Sequence, residues 1–317
     1  MLRRWFCVLC MLCWCSSSFA QKPLVVVLDW LINPNHAPLF VAQHQGFFTQ
    51  QGLSVHLIAP ANSADPLKLV ASEQADIALS YQPQFMLAVD QGLPLVRIAT
   101  LIATPLNALL VPADSMIKSP ADLKNKKIGY TPGGVEDILL STLLKQAQLS
   151  VKDVTLININ YNLSQALLTH KVDAIVGVMR NSEPIELELA GQTVRAFYPE
   201  EQGVPLYDEL IFVAKKDKSS DPRLTQFIAA LETATHYLIA HPQAMWEAFA
   251  EEYPLLNTTL NKRIWFDTLT RFSLNPSILD QQRYQHLTEF MYENKWLKHR
   301  PPVQEYAVEL PSLKLKK

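Results

Sequence analysis

Along the chain, short apolar runs alternate with amphipathic segments, the pattern of strand and helix units wound around mostly parallel sheets. Residues 24–28 form an unbroken Val/Leu run that reads as a buried strand. Behind it the pattern predicts a helix over 37–45, a strand over 53–59, a helix over 66–72 and a strand over 77–80. Gly46 and Gly52 punctuate the turn between that first helix and the second strand, where helix ends commonly place glycine. A second series starts near residue 114, with a helix over 120–123, a strand over 127–130, a helix over 135–146 and strands over 154–158 and 174–178. Its local grammar repeats the first, because Glu73-Gln74-Ala75-Asp76 precedes one strand as His170-Lys171-Val172-Asp173 precedes another. Two similar lobes are therefore expected. Apolar runs at 106–111 and 210–214 bracket the second series, so the chain is expected to cross between lobes twice, and such paired crossovers make a hinge. From Pro222 onward the pattern is helical, with Trp246, Trp265 and Trp296 packing a helical cap. Asn125, in the basic turn Lys124-Asn125-Lys126-Lys127, suits a left-handed residue between a helix and a strand.

Composition narrows the function classes. With 317 residues, 49% hydrophobic, 18% charged and a net charge of −2, the chain is globular and long enough for about two domains. Neither sign of charge dominates, so the clustered Lys/Arg footprint of a nucleic-acid binder is missing. Cys7, Cys10, Cys13 and Cys15 all fall at the start, and none follows, which removes disulfide and zinc-thiolate sites from the body. Arg3 and Arg4, an apolar stretch from Trp5 to Trp14 and the small-x-small sequence Ser18-Phe19-Ala20 read as a cleaved export signal over 1–20. The apolar stretch is about half of what a membrane span needs. Trp14 precedes Cys15 where lipidation signals carry a small residue, which disfavours a lipid anchor. Loss of the leader removes two Arg and no acid, shifting the net charge from −2 to −4.

Catalytic signatures fail in turn. There is no Gly-x-Ser-x-Gly, no Gly-Lys-Ser/Thr loop, no Gly-x-Gly-x-x-Gly and no His-Glu-x-x-His, and the eight His are dispersed, so neither a metal nor a cofactor is expected. Three segments stand out. In Leu28-Asp29-Trp30-Leu31-Ile32-Asn33-Pro34-Asn35-His36 a buried strand ends in an aromatic and several polar groups, where ligands of open α/β sheets bind. Trp30, Asn33 and His36 offer a stacking plate and hydrogen-bonding groups for a flat polar heterocycle. In Ile128-Gly129-Tyr130-Thr131-Pro132-Gly133-Gly134-Val135-Glu136-Asp137 a strand runs through the sole Gly-Gly pair into a helix, whose first N–H groups can hold an oxygen. Glu136 and Asp137 favour the helix dipole and argue against a highly charged anion there. The third is Val178-Met179-Arg180-Asn181-Ser182-Glu183-Pro184, followed at the second crossover by Gly203-Val204-Pro205-Leu206-Tyr207-Asp208-Glu209. Glu183 either accepts N–H bonds from an aminopyrimidine-like edge or serves the start of a helix, and Tyr207 is a candidate to oppose Trp30 across the ring. Tyr81, just past the strand ending at Ser80, is a further candidate wall.

The segments LDWLINPNHAPLFVAQHQGFF, QGLSVHL, EQADIALSYQ, DLKNKKIGYTPGG, KVDAIVGVMRNSEPIEL and GVPLYDELIFVA run in order over about residues 24–250. In them the chain resembles the periplasmic solute-binding proteins of ABC importers with the NMT1/THI5-like domain, above all the binders of formylaminopyrimidine, a thiamine pyrimidine precursor. The resemblance implies an α/β periplasmic binding protein of type II fold, with lobe one over 21–110 and 211–317, lobe two over 111–210, and a two-strand hinge. It further implies that Trp30 and Tyr207 stack on a pyrimidine ligand, that Asn33 and His36 line the pocket, that Gly133 and Gly134 contact the ligand through backbone, and that Glu183 bonds its amino edge. A periplasmic monomer delivering the pyrimidine to an inner-membrane permease with its ATPase is the implied setting. The same domain occurs in a eukaryotic pyrimidine synthase that consumes its own pyridoxal phosphate and a histidine. Its cofactor lysine would fall at Ser80, its histidine at Gln84 and its cysteine-rich iron motif near 205–209, where this chain has no Cys. Without an amine the Schiff base cannot form. A synthase-like enzyme is thus the alternative class, and a binder of another solute such as an alkylsulfonate is a third. The chain departs from the family at Ala37-Pro38-Leu39 and at Arg180, where an aromatic is common.

Overall fold

The Val/Leu run near the start forms strand β1 (Leu24–Val27), which sits inside a five-stranded sheet with β2 (Val55–Ile58), β3 (Ile77–Ser80), β4 (Leu95–Ile102) and β10 (Leu210–Lys215), in the order β2-β1-β3-β10-β4. A second sheet contains β5 (Asn107–Pro112), β6 (Lys127–Tyr130), β7 (Thr155–Asn158), β8 (Ala174–Met179) and β9 (Val194–Phe197), in the order β7-β6-β8-β5-β9. The computed structural model describes residues 22–62, 65–131, 135–159 and 162–311. The expected leader over 1–20, with Cys15, and the Gly133-Gly134 pair lie outside these residues. Among the described residues no helix is long and apolar enough to cross a membrane.

Both sheets follow one plan. Three parallel strands (β2-β1-β3 and β7-β6-β8) are extended by one strand running against them, β10 in the first sheet and β5 in the second, and then by an edge strand antiparallel to that one, β4 and β9. The repeated sequence grammar has a physical basis. The carboxylate of Asp76 accepts the Val25 amide at 2.9 Å while its own amide donates to Val25 O, and Asp173 does the same to Lys127 at 2.8 Å, each Asp pinning the start of the neighbouring parallel strand. Glu73 and His170, three residues earlier, both take positive φ (61° and 53°) to end the preceding helix. Asn125 is left-handed as its residue type suggests, at φ 61°.

Helices cover both faces of each sheet. They are α1 (Ala37–His44), α2 (Phe47–Gln50), α3 (Pro66–Ala71), α4 (Gln82–Asp90), α5 (Val135–Gln146), α6 (Leu163–Leu168), α7 (Glu183–Leu189), α8 (Pro222–Ala240), α9 (Pro242–Glu252), α10 (Thr259–Thr268) and α11 (Gln281–Glu293). The period of two along β1 sends Leu24, Val26 and Leu28 into a cluster with α1, α8, α9 and α10, and Val25 and Val27 into one with α3, α4 and α11. Leu109 and Val111 of β5 likewise face one cluster of the second lobe, and Ala108 and Leu110 the other. Trp246 and Trp265 are buried in the first lobe's core, as their helical faces suggest, whereas Trp296 packs at its edge.

The chain changes sheets between Ile102 and Asn107 and again between Phe197 and Leu210. The whole 106–111 run therefore belongs to the second lobe, a shift from the expected 110/111 boundary. Its alternation marks a strand, while its partners are found only through the pairings of Leu109 with Phe197 and Val176. Two strands were not legible from the pattern, β4 and β9. In β4 a charge, Arg97, breaks the apolar run, yet the residue is fully buried because its guanidinium donates to Ser277 O, Ile278 O and the Thr100 hydroxyl at 2.7–3.0 Å. In β8, Gly177 has φ 80° and is the unpaired residue between the partners of Ala108 and Leu109, a glycine bulge that re-aims the strand just before its carboxyl end.

Candidate functional site

The segments singled out in the sequence follow the carboxyl ends of the parallel strands β1, β3, β6 and β8, and those after β1 and β8 meet across the lobes through Asn35 and Asn181. After β1 the chain turns through a short helix over Pro34–His36, capped by Asn33. The Asn33 side chain accepts from the Asn35 amide at 2.9 Å and donates to Leu31 O at 2.9 Å, so it holds the loop. His36 is fully buried, with Nε2 2.9 Å from Asp29 Oδ1 and Nδ1 accepting from the Asn33 amide at 3.3 Å. That amide can only donate, so the Nε2 atom carries the proton toward Asp29. The other Asp29 oxygen accepts the Tyr81 hydroxyl at 2.8 Å. One buried carboxylate thus joins the ends of β1 and β3 and orients Tyr81, which is partly exposed, as is Trp30.

On the second lobe Glu183 opens α7. Its carboxylate accepts the Met179 amide at 2.8 Å, and burial pushes its pKa up to about 7 against the lowering effect of that bond. Arg180 does not face outward. Its guanidinium makes a two-pronged pair with Glu200 at 2.7 and 2.9 Å, donates to Leu106 O and Asn107 O, and lies 4.1 Å from the Tyr198 ring centre. It therefore ties β8 to both crossovers. Glu209 does the same from the other side, accepting the Leu106 and Asn107 amides and the Asn107 side chain, and burial raises its pKa to about 7.

Tyr207 lies in the second crossover with its ring fully buried in a cluster that includes Phe85 and Leu139, and desolvation raises its pKa well above the ordinary value. The structure thus gathers Asp29, His36 and Tyr81 into one hydrogen-bonded unit, puts Glu183 just past the carboxyl end of β8 and leaves the Tyr207 ring buried in the second crossover. Asn33 and His36 brace the loop. Three groups escaped the sequence reading. Asn181 of the second lobe donates to Asn35 Oδ1 and Thr268 Oγ1 of the first, both at 2.8 Å and all buried. Gln82 receives the Asp208 amide on Oε1 at 2.7 Å. Asn181 stood in a flagged segment, but nothing near Thr268 marked it.

The residues do not fit the synthase's cofactor. The Ser80 side chain is buried and its hydroxyl donates to Gln84 Oε1 at 3.1 Å, so the two positions hold each other and present no amine. Among the described residues no group of three His, Cys, Asp or Glu could hold a metal.

Comparison with known proteins agrees with this architecture. The NMT1/THI5 like family model matches residues 33–245. A Haemophilus influenzae protein named "Putative thiamine biosynthesis protein" is 48% identical over 294 residues, covering 92% of this chain and 94% of the relative. The formylaminopyrimidine-binding protein of Halalkalibacterium halodurans is 33% identical over 229 residues (72% and 69%). The 4-amino-5-hydroxymethyl-2-methylpyrimidine phosphate synthase of Uromyces fabae is 29% identical over 255 residues (76% and 74%). The alkanesulfonate-binding protein SsuA of Xanthomonas axonopodis pv. citri superposes with a TM-score of 0.71 at 18% identity, over 90% of this chain and 97% of that one, which establishes the fold. With two mixed sheets in this arrangement and a family match across two thirds of its length, the chain belongs to the NMT1/THI5-like family and has the two-lobed type II fold of periplasmic binding proteins.

Proposed function

We propose that this protein is a solute-binding component of an ABC importer that captures a thiamine-related aminopyrimidine, of the formylaminopyrimidine or hydroxymethylpyrimidine type, between its lobes. It acts as a monomer in the periplasm after losing its leader, and delivers the ligand to an inner-membrane permease with its ATPase. The observation that carries the reading is the character of the strand ends. They hold acceptors and aromatic groups (Asp29 with Tyr81, Trp30, Glu183), while the nearby cation, Arg180, is neutralised by Glu200. Such a surface suits a neutral or weakly basic heterocycle bearing N–H groups, and the Arg180 charge that a sulfonate would want is already paired with Glu200. The 33% identity to a formylaminopyrimidine-binding protein supports the same ligand class. In this reading Trp30 stacks on the ring, Glu183 accepts the amino edge, Tyr81 forms a wall and the Gly133-Gly134 backbone contributes from the second lobe. Closure is driven by the ligand's preference for the shut state.

Isothermal titration of the purified protein with formylaminopyrimidine tests it. One-to-one binding with a raised melting temperature is expected, and absence of both overturns the reading. The enzyme alternative is tested by absorbance, since a synthase-like protein would take up pyridoxal phosphate and absorb near the visible. A colourless protein after incubation with the cofactor is expected from the paired Ser80 and Gln84.

A further inference from the structure

We propose that the Gln82 side-chain amide and the Tyr207 hydroxyl form a two-donor clamp for one hydrogen-bond acceptor of the ligand, a carbonyl oxygen or an unprotonated ring nitrogen. The proposal rests on the binding-protein reading above and adds to it the polarity that the ligand must show at this end of the site. Among the described residues four buried side-chain atoms lack a hydrogen-bond partner: Gln82 Nε2, Arg97 Nε, Asn181 Oδ1 and Tyr207 Oη. Arg97 lies inside the first lobe, its terminal nitrogens engaged. The other three belong to the strand ends and the second crossover, between the lobes.

Gln82 and Tyr207 are adjacent through one bond. Gln82 Oε1 accepts the amide of Asp208, the residue after Tyr207, at 2.7 Å. That bond also fixes the orientation of the Gln82 amide, because a flip would set its NH₂ against an N–H. The Nε2 atom therefore keeps protons with nothing to receive them. The Asn107 side-chain amide gives one proton to Glu209 at 2.6 Å and turns its other toward the Tyr207 oxygen, so that oxygen can only accept there, and the Glu209 carboxylate is itself filled by two backbone amides. The hydroxyl proton is left without an acceptor. Gln82 and Tyr207 are fully buried, and a buried donor without a partner is destabilising. Apolar side chains would pack there without that cost, so the arrangement makes sense when the acceptor arrives from outside. Asn181 Oδ1 offers the complement, an acceptor for an N–H, since its Nδ2 is taken up by Asn35 and Thr268. The ligand class that satisfies all three carries an acceptor and an N–H donor, as an amide or an aminoheterocycle does. A sulfonate carries only acceptors.

Two variants test the clamp by titration with formylaminopyrimidine and with ethanesulfonate, alongside melting of the ligand-free protein. Tyr207→Phe removes only the hydroxyl, and Gln82→Glu keeps the acceptor for Asp208 while removing the donor. Each is expected to weaken pyrimidine binding at least tenfold, and Tyr207→Phe to melt at or above the wild-type temperature without ligand. If the wild type binds the pyrimidine and both variants keep its affinity within twofold, the clamp is refuted and the functional reading stands. A Tyr207→Phe protein with wild-type affinity and a lowered melting temperature would assign the hydroxyl a structural role and overturn the clamp. If the wild type binds ethanesulfonate alone, the pyrimidine reading fails, and the clamp stands or falls on whether the variants lose that ligand tenfold. Binding of neither probe by the wild type overturns both.

Discussion

Among the described residues Asn181 makes the most buried polar contacts between the lobes, and Asn181→Ala removes them. The Asn181 Nδ2 atom donates across the interface to Asn35 Oδ1 and Thr268 Oγ1, each at 2.8 Å. A neutral hydrogen bond contributes about 0.5–1.5 kcal/mol net, so the two together favour the closed arrangement by about 1–3 kcal/mol. The substitution also deletes Asn181 Oδ1, which lacks a partner, and relief of that buried acceptor returns about 1 kcal/mol. If Oδ1 meets an N–H of the ligand there is no such relief, and the loss approaches about 3 kcal/mol, roughly 150-fold in affinity. Without that contact the net loss is about 1 kcal/mol, roughly fivefold. Either loss falls on the closed state, because in an open one these groups meet water, and ligand affinity drops with the closed population. The comparison variant is Arg263→Ala, which removes the exposed interlobe pair with Glu188 at 2.8 Å and is expected to cost far less, an effect that vanishes in high salt. Titration calorimetry gives the affinity of each variant, and solution scattering of the ligand-saturated proteins gives the closed fraction. Wild-type affinity and scattering in Asn181→Ala, with a larger loss in Arg263→Ala, would refute the reasoning.

Removing the Asp29 carboxylate by Asp29→Ala strands the His36 Nε2 proton and the Tyr81 hydroxyl, and two bonds to a charged acceptor at about 1.5–3 kcal/mol each put the loss in unfolding free energy at about 3–6 kcal/mol; a urea midpoint matching the wild type would count against this unit as the brace of the site. Trp30→Ala is expected to weaken pyrimidine binding by about 1–2 kcal/mol through lost stacking and burial, and unchanged affinity removes Trp30 from the site. Glu183 titrates near 7 rather than its ordinary 4.5 because burial disfavours its ionised form, so the native state holds the proton more tightly than the unfolded chain. Its contribution to stability is therefore present below about pH 4.5 and lost as pH rises to about 7, by at most about 3 kcal/mol. Glu183→Gln keeps an acceptor for the Met179 amide and should flatten this part of the curve; parallel urea series at pH 5, 6, 7 and 8 with identical slopes in both proteins would show that the carboxylate is not desolvated.

Much of the architecture was legible because it depends on local pattern. The apolar run of β1, the β6 boundaries and the long helix α5 follow from periodicity and turn chemistry, and the Asp76 and Asp173 repeats marked two lobes before any pairing was known. Strand β4 was hidden by Arg97, whose burial depends on carbonyls about 180 residues away in the chain. For the candidate site, placement after strand ends was legible and orientation was not. Trp30, Tyr81 and Glu183 lie at strand ends as their segments suggest, but a polar side chain in such a loop can face the cleft or the loop itself. His36 is turned inward between Asp29 and the Asn33 amide, and Asn33 holds its own turn.

By itself, then, the sequence determined the two-lobed α/β plan, the strand ends that carry polar and aromatic residues, and the absence of Cys after position 15 and of a lysine at position 80. These follow from residue type and short-range periodicity. Only the tertiary structure decided which sheet each crossover strand joins, which way each polar group faces, and that Asn35, Asn181 and Thr268 meet across the lobes. Such contacts join residues as far as 146 positions apart, and no local pattern encodes a hydrogen bond whose two ends are brought together by the packing of separate lobes.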